Sequence, residues 1–134
     1  MPTKSSPGDA QSEESSPGSP RVLIVEDDPF VSLHLETILT RAGMEPAGVA
    51  NTVDEALKVI EETDPDVAVL DVNIRGTYVF PVAEKLQAAG TPFVFVSAYA
   101  NDKTLFPAHL RDAPREPKPV DPNRLIAVLT ALTE

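Results

Sequence analysis

The chain has 134 residues and no cysteine, its 11 basic against 21 acidic side chains leave a formal net charge of −10, and 42% of its residues are hydrophobic. This is the length and balance of one ordinary globular domain, and it excludes collagen-like, coiled-coil and wholly disordered classes as well as disulfide frameworks, Cys-ligated metals and thiol nucleophiles. The acidic excess disfavours direct nucleic-acid binding, and with no apolar run near the roughly 20 residues of a membrane span and no signal-like opening, the expectation is a soluble cytoplasmic protein without membrane contact.

Residues 1–20 stand apart. They hold six Ser, four Pro and two Gly, with Met1 and Ala10 their only apolar side chains. Such a segment buries too little to offset the entropy of ordering, so it reads as a disordered tail. The folded domain is expected over residues 21–134.

From Arg21 short apolar runs alternate with helical patterns. Val22–Val25 is β-branched and bounded by charge, which predicts a buried parallel strand. Asp28-Pro29 is a helix start, with Asp as cap and Pro in the first turn. Val31, Leu35, Ile38 and Ala42 then share one face, and Gly43 stops the helix. Residues 45–50 predict a weaker second strand, interrupted by Pro46 and Gly48. Asn51 or Thr52 caps a second helix with Val53, Ala56, Leu57 and Ile60 inward.

Residues 66–70 predict a third strand ending at Asp71. A loop through Arg75-Gly76-Thr77 leads to a helix over about 78–89, closed by Gly90. Residues 92–96 predict a fourth strand ending at Ser97. The segment 101–111 carries a helical reading that Pro107 breaks. A short strand near 113–116 precedes Lys118-Pro119, and a last helix after Asp121-Pro122 turns Leu125, Val128, Leu129 and Leu132 inward. Five strands alternating with five helices predict an α/β fold with a parallel sheet.

In open α/β sheets ligands bind beyond the carboxyl ends of the strands. Strand one ends in Glu26-Asp27-Asp28, strand three in Asp71, strand four in Ser97, and strand five is followed by Lys118. With strand order 2-1-3-4-5, these residues meet in one cleft. Clustered carboxylates stay ionised together only beside a cation, and an all-oxygen set suits Mg²⁺. Asp71 is then a nucleophile able to form an aspartyl phosphate, with Lys118 and Ser97 as clamps on the transferred oxygens. Asp28 reads as the helix cap alone. His34 and His109 have no second His or Cys at ligand spacing and read as structural.

The ordered set VLIVEDDP (22–29), VAVLDVN (67–73), FVFVSAY (93–99) and KP (118–119) resembles the response-regulator receiver domains of two-component signalling, over about residues 21–134. The resemblance implies a flavodoxin-like (βα)5 doubly wound fold. It implies Glu26 and Asp27 as the acidic pair for Mg²⁺, Asp71 as phosphoacceptor, and the Asn73 backbone carbonyl as a third metal ligand. It implies Ser97 and Lys118 as phosphoryl-binding groups, with Pro119 after a cis peptide. A histidine kinase or a histidine phosphotransfer protein would be the partner, and a homodimer is compatible with it. Receivers usually carry Tyr or Phe three residues before the lysine as a rotameric switch, and here that residue is Arg115.

FVSAY is partly similar to the FATGUY group, mostly single-domain proteins that lack that aromatic and include stress-signalling members. No output segment follows the last predicted helix, so the expectation is a single-domain regulator and no enzyme in the ordinary sense. Tyr99 is expected as a half-buried anchor or a substitute switch. Arg115 is expected outside, as a surface charge or a partner contact. The competing readings are a receiver-like interaction module without phosphorylation, an aspartyl-phosphate phosphatase, a flavodoxin and a receiver cut from a hybrid kinase. Asp71-Val72-Asn73 lacks the second Asp of a dehalogenase-type phosphatase, and no Gly/Ser/Thr-rich phosphate loop follows strand one.

Overall fold

A computed structural model of the chain describes residues 19–134. The disordered tail expected over 1–20 therefore lies almost wholly outside the described residues. The elements run β1 (Arg21–Val25), α1 (Pro29–Arg41), β2 (Glu45–Ala50), α2 (Val53–Thr63), β3 (Val67–Asp71), β4 (Asn73–Ile74), β5 (Thr77–Tyr78), α3 (Phe80–Ala88), β6 (Phe93–Ser97), β7 (Arg115–Pro117) and α4 (Pro122–Leu132). Two single 3-10 turns, Lys103–Leu105 and Ala108–Leu110, lie between β6 and β7.

The main sheet has the order β2-β1-β3-β6-β7, and every pairing in it is parallel. It is the predicted doubly wound arrangement, with four helices flanking five strands. Both faces are covered, which is why the strands read as unbroken apolar runs. Leu23, Val25, Ala68, Leu70, Phe93 and Phe95 point to one face, among Ala56, Val82, Leu86, Phe106 and Leu110. Val22, Ile24, Val67, Val69, Val94 and Val96 point to the other, among Leu35, Leu39, Leu125 and Leu129.

Local chemistry sets the helix starts. Asp28 Oδ1 accepts hydrogen bonds from the Phe30 and Val31 amides at 2.9 and 3.4 Å, with Pro29 in the first turn. Asp121 does the same for Asn123 and Arg124 ahead of α4. Of the two caps considered for α2 the structure uses Thr52, whose Oγ1 accepts from the Glu55 amide at 3.0 Å, while Glu55 reaches back to the Asn51 amide. These bonds satisfy donors that the first turn leaves orphaned.

Three expectations are corrected. The helix predicted from about 78 begins at Phe80, because Thr77–Tyr78 pairs antiparallel with Asn73–Ile74 in a small hairpin. The fifth helix does not form: 101–111 holds only the two 3-10 turns, since Pro107 has no amide to donate and crowds the preceding turn. The last strand is Arg115–Pro117, two residues later than expected near its start.

Candidate functional site

All five strands run the same way, so their carboxyl ends share one edge. Val25 pairs with Leu70, Asp71 with Val96, and Ser97 with Pro117. The residues after each strand are thereby set side by side. Lys118 Nζ lies 3.2 Å from Asp71 Oδ2 and 3.4 Å from Glu26 Oε1. One ammonium therefore serves two carboxylates, and both are largely buried, Glu26 at 2% and Asp71 at 9% exposed. Asp27 joins them: Glu26, Asp27 and Asp71 each place a carboxylate oxygen within 4.8 Å of the others.

The electrostatics follow from that crowding. Burial is the largest influence on Glu26 and, with the Asp71 charge, pushes its pKa up to about 7 against the Asp28 amide and Lys118. Burial likewise raises Asp71, despite Lys118 beside it. For Lys118 burial pulls downward, but Asp71 and Glu26 outweigh it and hold the ammonium above its ordinary range. The cluster carries more negative charge than its single lysine offsets. All its donors are hard carboxylate oxygens, so a divalent cation of the Mg²⁺ class fits both the charge and the ligand set.

The remaining predicted residues are placed as follows. Ser97 is buried at the end of β6, and its Oγ accepts the Tyr99 amide at 2.9 Å. Asn73 opens β4, where its Oδ1 accepts the Gly76 amide at 2.9 Å, so its side chain serves the hairpin turn. The Lys118–Pro119 peptide is cis. Asp28 caps α1, as expected. Tyr99 is 68% exposed, so the half-buried anchor reading is corrected: its amide is held and its side chain stands largely in solvent beside the cleft. His109 Nε2 lies 2.9 Å from Glu84 Oε2, away from the cluster. Asp71, Ser97 and Lys118 floor a cleft of about 560 Å³, with Tyr78, Tyr99 and Leu105 on its walls.

Arg115 is the clearest correction. It is half-buried, and its Nε donates to the Ala100 carbonyl at 2.9 Å while Nη1 donates to the Arg111 carbonyl at 2.5 Å. Its guanidinium carbon lies 5.2 Å from the centre of the Phe106 ring. Carbonyls and a π-face solvate the charge, which offsets the cost of taking an unpaired guanidinium out of water and lets it sit inward. Arg115 makes no ion pair with its neighbour Glu116, which instead meets Arg124 at 3.1 Å.

Arg75, expected near the site as a plain loop residue, is tied directly to the acidic cluster. At the hairpin tip, in the left-handed region at φ 52, it donates its amide to Asp27 Oδ2 at 2.9 Å and its Nε to the Asn51 carbonyl at 3.3 Å. The Arg75-Gly76 pair was the available signal, because it marks a turn beside the Asp71 strand end.

Comparison with known proteins agrees with this geometry. The family model of the response regulator receiver domain matches residues 22–130. The chemotaxis protein CheY of Thermotoga maritima is 41% identical over 54 residues, 40% of this chain and 45% of that protein. The solution structure of SdrG from Sphingomonas melonis Fr1 superposes with a TM-score of 0.74 at 35% identity, covering 89% of this chain and all of that one. The receiver domain of Erythrobacter litoralis PhyR shares the fold, with a TM-score of 0.75 at 24% identity over 86% of this chain and 90% of that chain. The matched stretch spans less than half the length of the first curated relatives. Among the described residues no helix is long and apolar enough to cross a membrane. Sheet order, strand-end cluster and family match agree: the chain belongs to the receiver-domain family of two-component response regulators.

Proposed function

We propose that this receiver is a working phosphoacceptor whose nucleophile is Asp71. The observation that carries the reading is the Lys118 ammonium held between Asp71 and Glu26 at 3.2 and 3.4 Å, with Asp27 completing the acidic cluster. An Asp71 carboxylate oxygen would attack the phosphorus of a phosphohistidine on a kinase or phosphotransfer protein. The P–N bond breaks, its electron pair stays with the imidazole nitrogen, and that nitrogen takes a proton from solvent. Lys118 exchanges a carboxylate for a phosphoryl oxygen, and Ser97 offers its hydroxyl hydrogen to another. Glu26, Asp27, Asp71 and the Asn73 carbonyl would hold Mg²⁺, which supplies the positive charge that lets a phosphoryl group approach three carboxylates. The chain thus assists its own phosphorylation and hydrolysis and turns over no separate substrate. A receiver-like module without phosphorylation has no need of three gathered carboxylates with a lysine between two of them.

Intact mass spectrometry with acetyl phosphate and Mg²⁺ tests the reading. The expected result is one phosphoryl adduct, lost at alkaline pH and absent with a chelator. No adduct under any condition would favour the module reading instead.

Asp27→Asn tests the metal role separately. The amide side chain still accepts from the Arg75 amide, so folding should be unaffected. Even partners that only orient a ligand cost roughly 10–100-fold in metal affinity, so loss of a direct carboxylate should weaken Mg²⁺ binding by at least about ten-fold. Unchanged Mg²⁺ affinity by calorimetry would remove Asp27 from the ligand set.

A further inference from the structure

The segment between β6 and β7 is held by isolated turn-type backbone hydrogen bonds, such as Leu105 to Asp102 and Leu110 to Pro107, and not by a helical ladder. Residues 98–113 contain two 3-10 turns, each only three residues long, in place of a helix. Side chains replace the missing ladder. Arg111 Nε donates inside the segment to the carbonyls of Lys103 and Phe106 at 3.2 and 2.9 Å. Arg115 binds it from outside. It sits on β7, paired with Phe95 of β6, and its guanidinium reaches the carbonyls of Ala100, Arg111 and, at 3.5 Å, Ala113. Beneath it the Phe106 ring is buried against Phe80 and Phe95, at 5.7 and 5.0 Å between ring centres. Among the described residues no carboxylate lies within ion-pair distance of Arg115. These carbonyls and the Phe106 ring are therefore what its half-buried charge has for partners.

The position of this grip matters. Ala100 is three residues beyond Ser97, and Tyr99 between them is tied by its amide to Ser97 Oγ. Lys118 is three residues beyond Arg115 on the other side. Ser97 and Lys118, the two groups that face the Asp71 phosphoryl position, bond directly, the Lys118 amide donating to the Ser97 carbonyl at 3.1 Å, and Arg115 ties the segment after Ser97 to the strand before Lys118. We propose that Arg115 is a latch: it holds segment 98–113 on the sheet in the resting state, and phosphorylation acts by drawing Ser97, and with it Ala100, off the guanidinium. The coupling half rests on the phosphoacceptor reading above; the latch half does not. A ligand shifts a two-state element only by its differential contacts. Here the differential contact is the Ala100 carbonyl, bonded to Arg115 in one state and released in the other. Arg115 is a positioning residue in this scheme and touches no reacting atom.

Hydrogen exchange on the full chain tests the latch without any phosphodonor. Arg115→Ala should speed exchange of amides in 98–113 by on the order of ten-fold, the factor that one net hydrogen bond to a charged group is worth, and leave β1, β3 and β6 protected. Arg115→Gln keeps the aliphatic stem and one donor group, and stands in should the alanine variant fail to fold. Its expected effect is the same in sign and smaller. Wild-type protection of 98–113 in the folded variant would overturn the latch. The coupling is read by beryllofluoride affinity in the presence of Mg²⁺. With the resting state no longer held, the variant should bind it more tightly, by up to about the same ten-fold. Equal or weaker binding would overturn the coupling, because a merely structural role cannot tighten it. A wild-type chain that fails to bind beryllofluoride counts against Asp71 as phosphoacceptor, and the exchange result alone then decides the latch.

Discussion

Replacing Asp71 by Asn is expected to abolish the phosphoryl adduct while leaving the metal-free protein at least as stable as the wild type at neutral pH. The chemistry part is direct, since an amide cannot form the acyl phosphate. The stability part follows from burial. Asp71 and Glu26 both have folded pKa values above their ordinary ones, with burial the largest cause in each. Such a group binds more protons folded than unfolded between its two pKa values, so stability falls as pH rises through that window. For Glu26 the window runs from 4.5 to about 7. The substitution removes one buried charge, keeps the shape, and leaves the Glu26–Lys118 pair at 3.4 Å. In chelator at pH 8 the variant should melt at or above the wild type. Mg²⁺ should then raise the wild-type Tm more than the variant's, by mass action on a site that only the full carboxylate set completes. A variant that melts far below the wild type in chelator would show that the Asp71 charge stabilises the fold. A persisting adduct would move the phosphoacceptor elsewhere.

The strand-end residues were legible because each apolar run stops at a charged or hydroxyl residue. The alternating pattern then forces those stops onto one edge. Val25 before Glu26, Leu70 before Asp71 and Val96 before Ser97 all behave this way. The weak reading of residues 45–50 also has a physical reason. β2 is an edge strand, where Pro46 is tolerated and the register shifts between Val22 and Leu23 of its neighbour. What stayed illegible depends on side chains bonding backbone far along the chain. The Arg75 amide meets Asp27 across 48 positions, and Arg115 meets Ala100 across 15. No periodicity encodes either contact. Pro107 signalled that the helix would fail, but not that a guanidinium from the next strand would hold what replaced it.

The largest loss of stability is expected from Phe95→Ala. Phe95 lies on β6 between β3 and β7, is fully buried, and stands at the centre of an aromatic cluster. Its ring is 5.0 Å from Phe106, 5.3 Å from Phe93 and 6.0 Å from Phe80, centre to centre. Truncation removes the transfer free energy of the ring and leaves a cavity that the sheet cannot close, because the flanking strands are pinned by their backbone pairing. Such changes cost about 3–5 kcal/mol, a large share of the roughly 5–15 kcal/mol that holds a domain of this size together. The corresponding fall in Tm is roughly 10–25 °C. Phe106 loses its closest ring neighbour, so the platform under Arg115 should loosen and segment 98–113 should exchange faster still in whatever fraction remains folded. Phe93→Ala is the comparison. Phe93 is 6% exposed at the start of the same strand and touches the cluster through Phe95, so its loss should be smaller. Denaturant titration of both variants decides the point. A Phe95→Ala loss below about 1 kcal/mol, the range of a surface change, would mean that the cluster repacks around the gap and is not what holds β6 in place beneath Ser97.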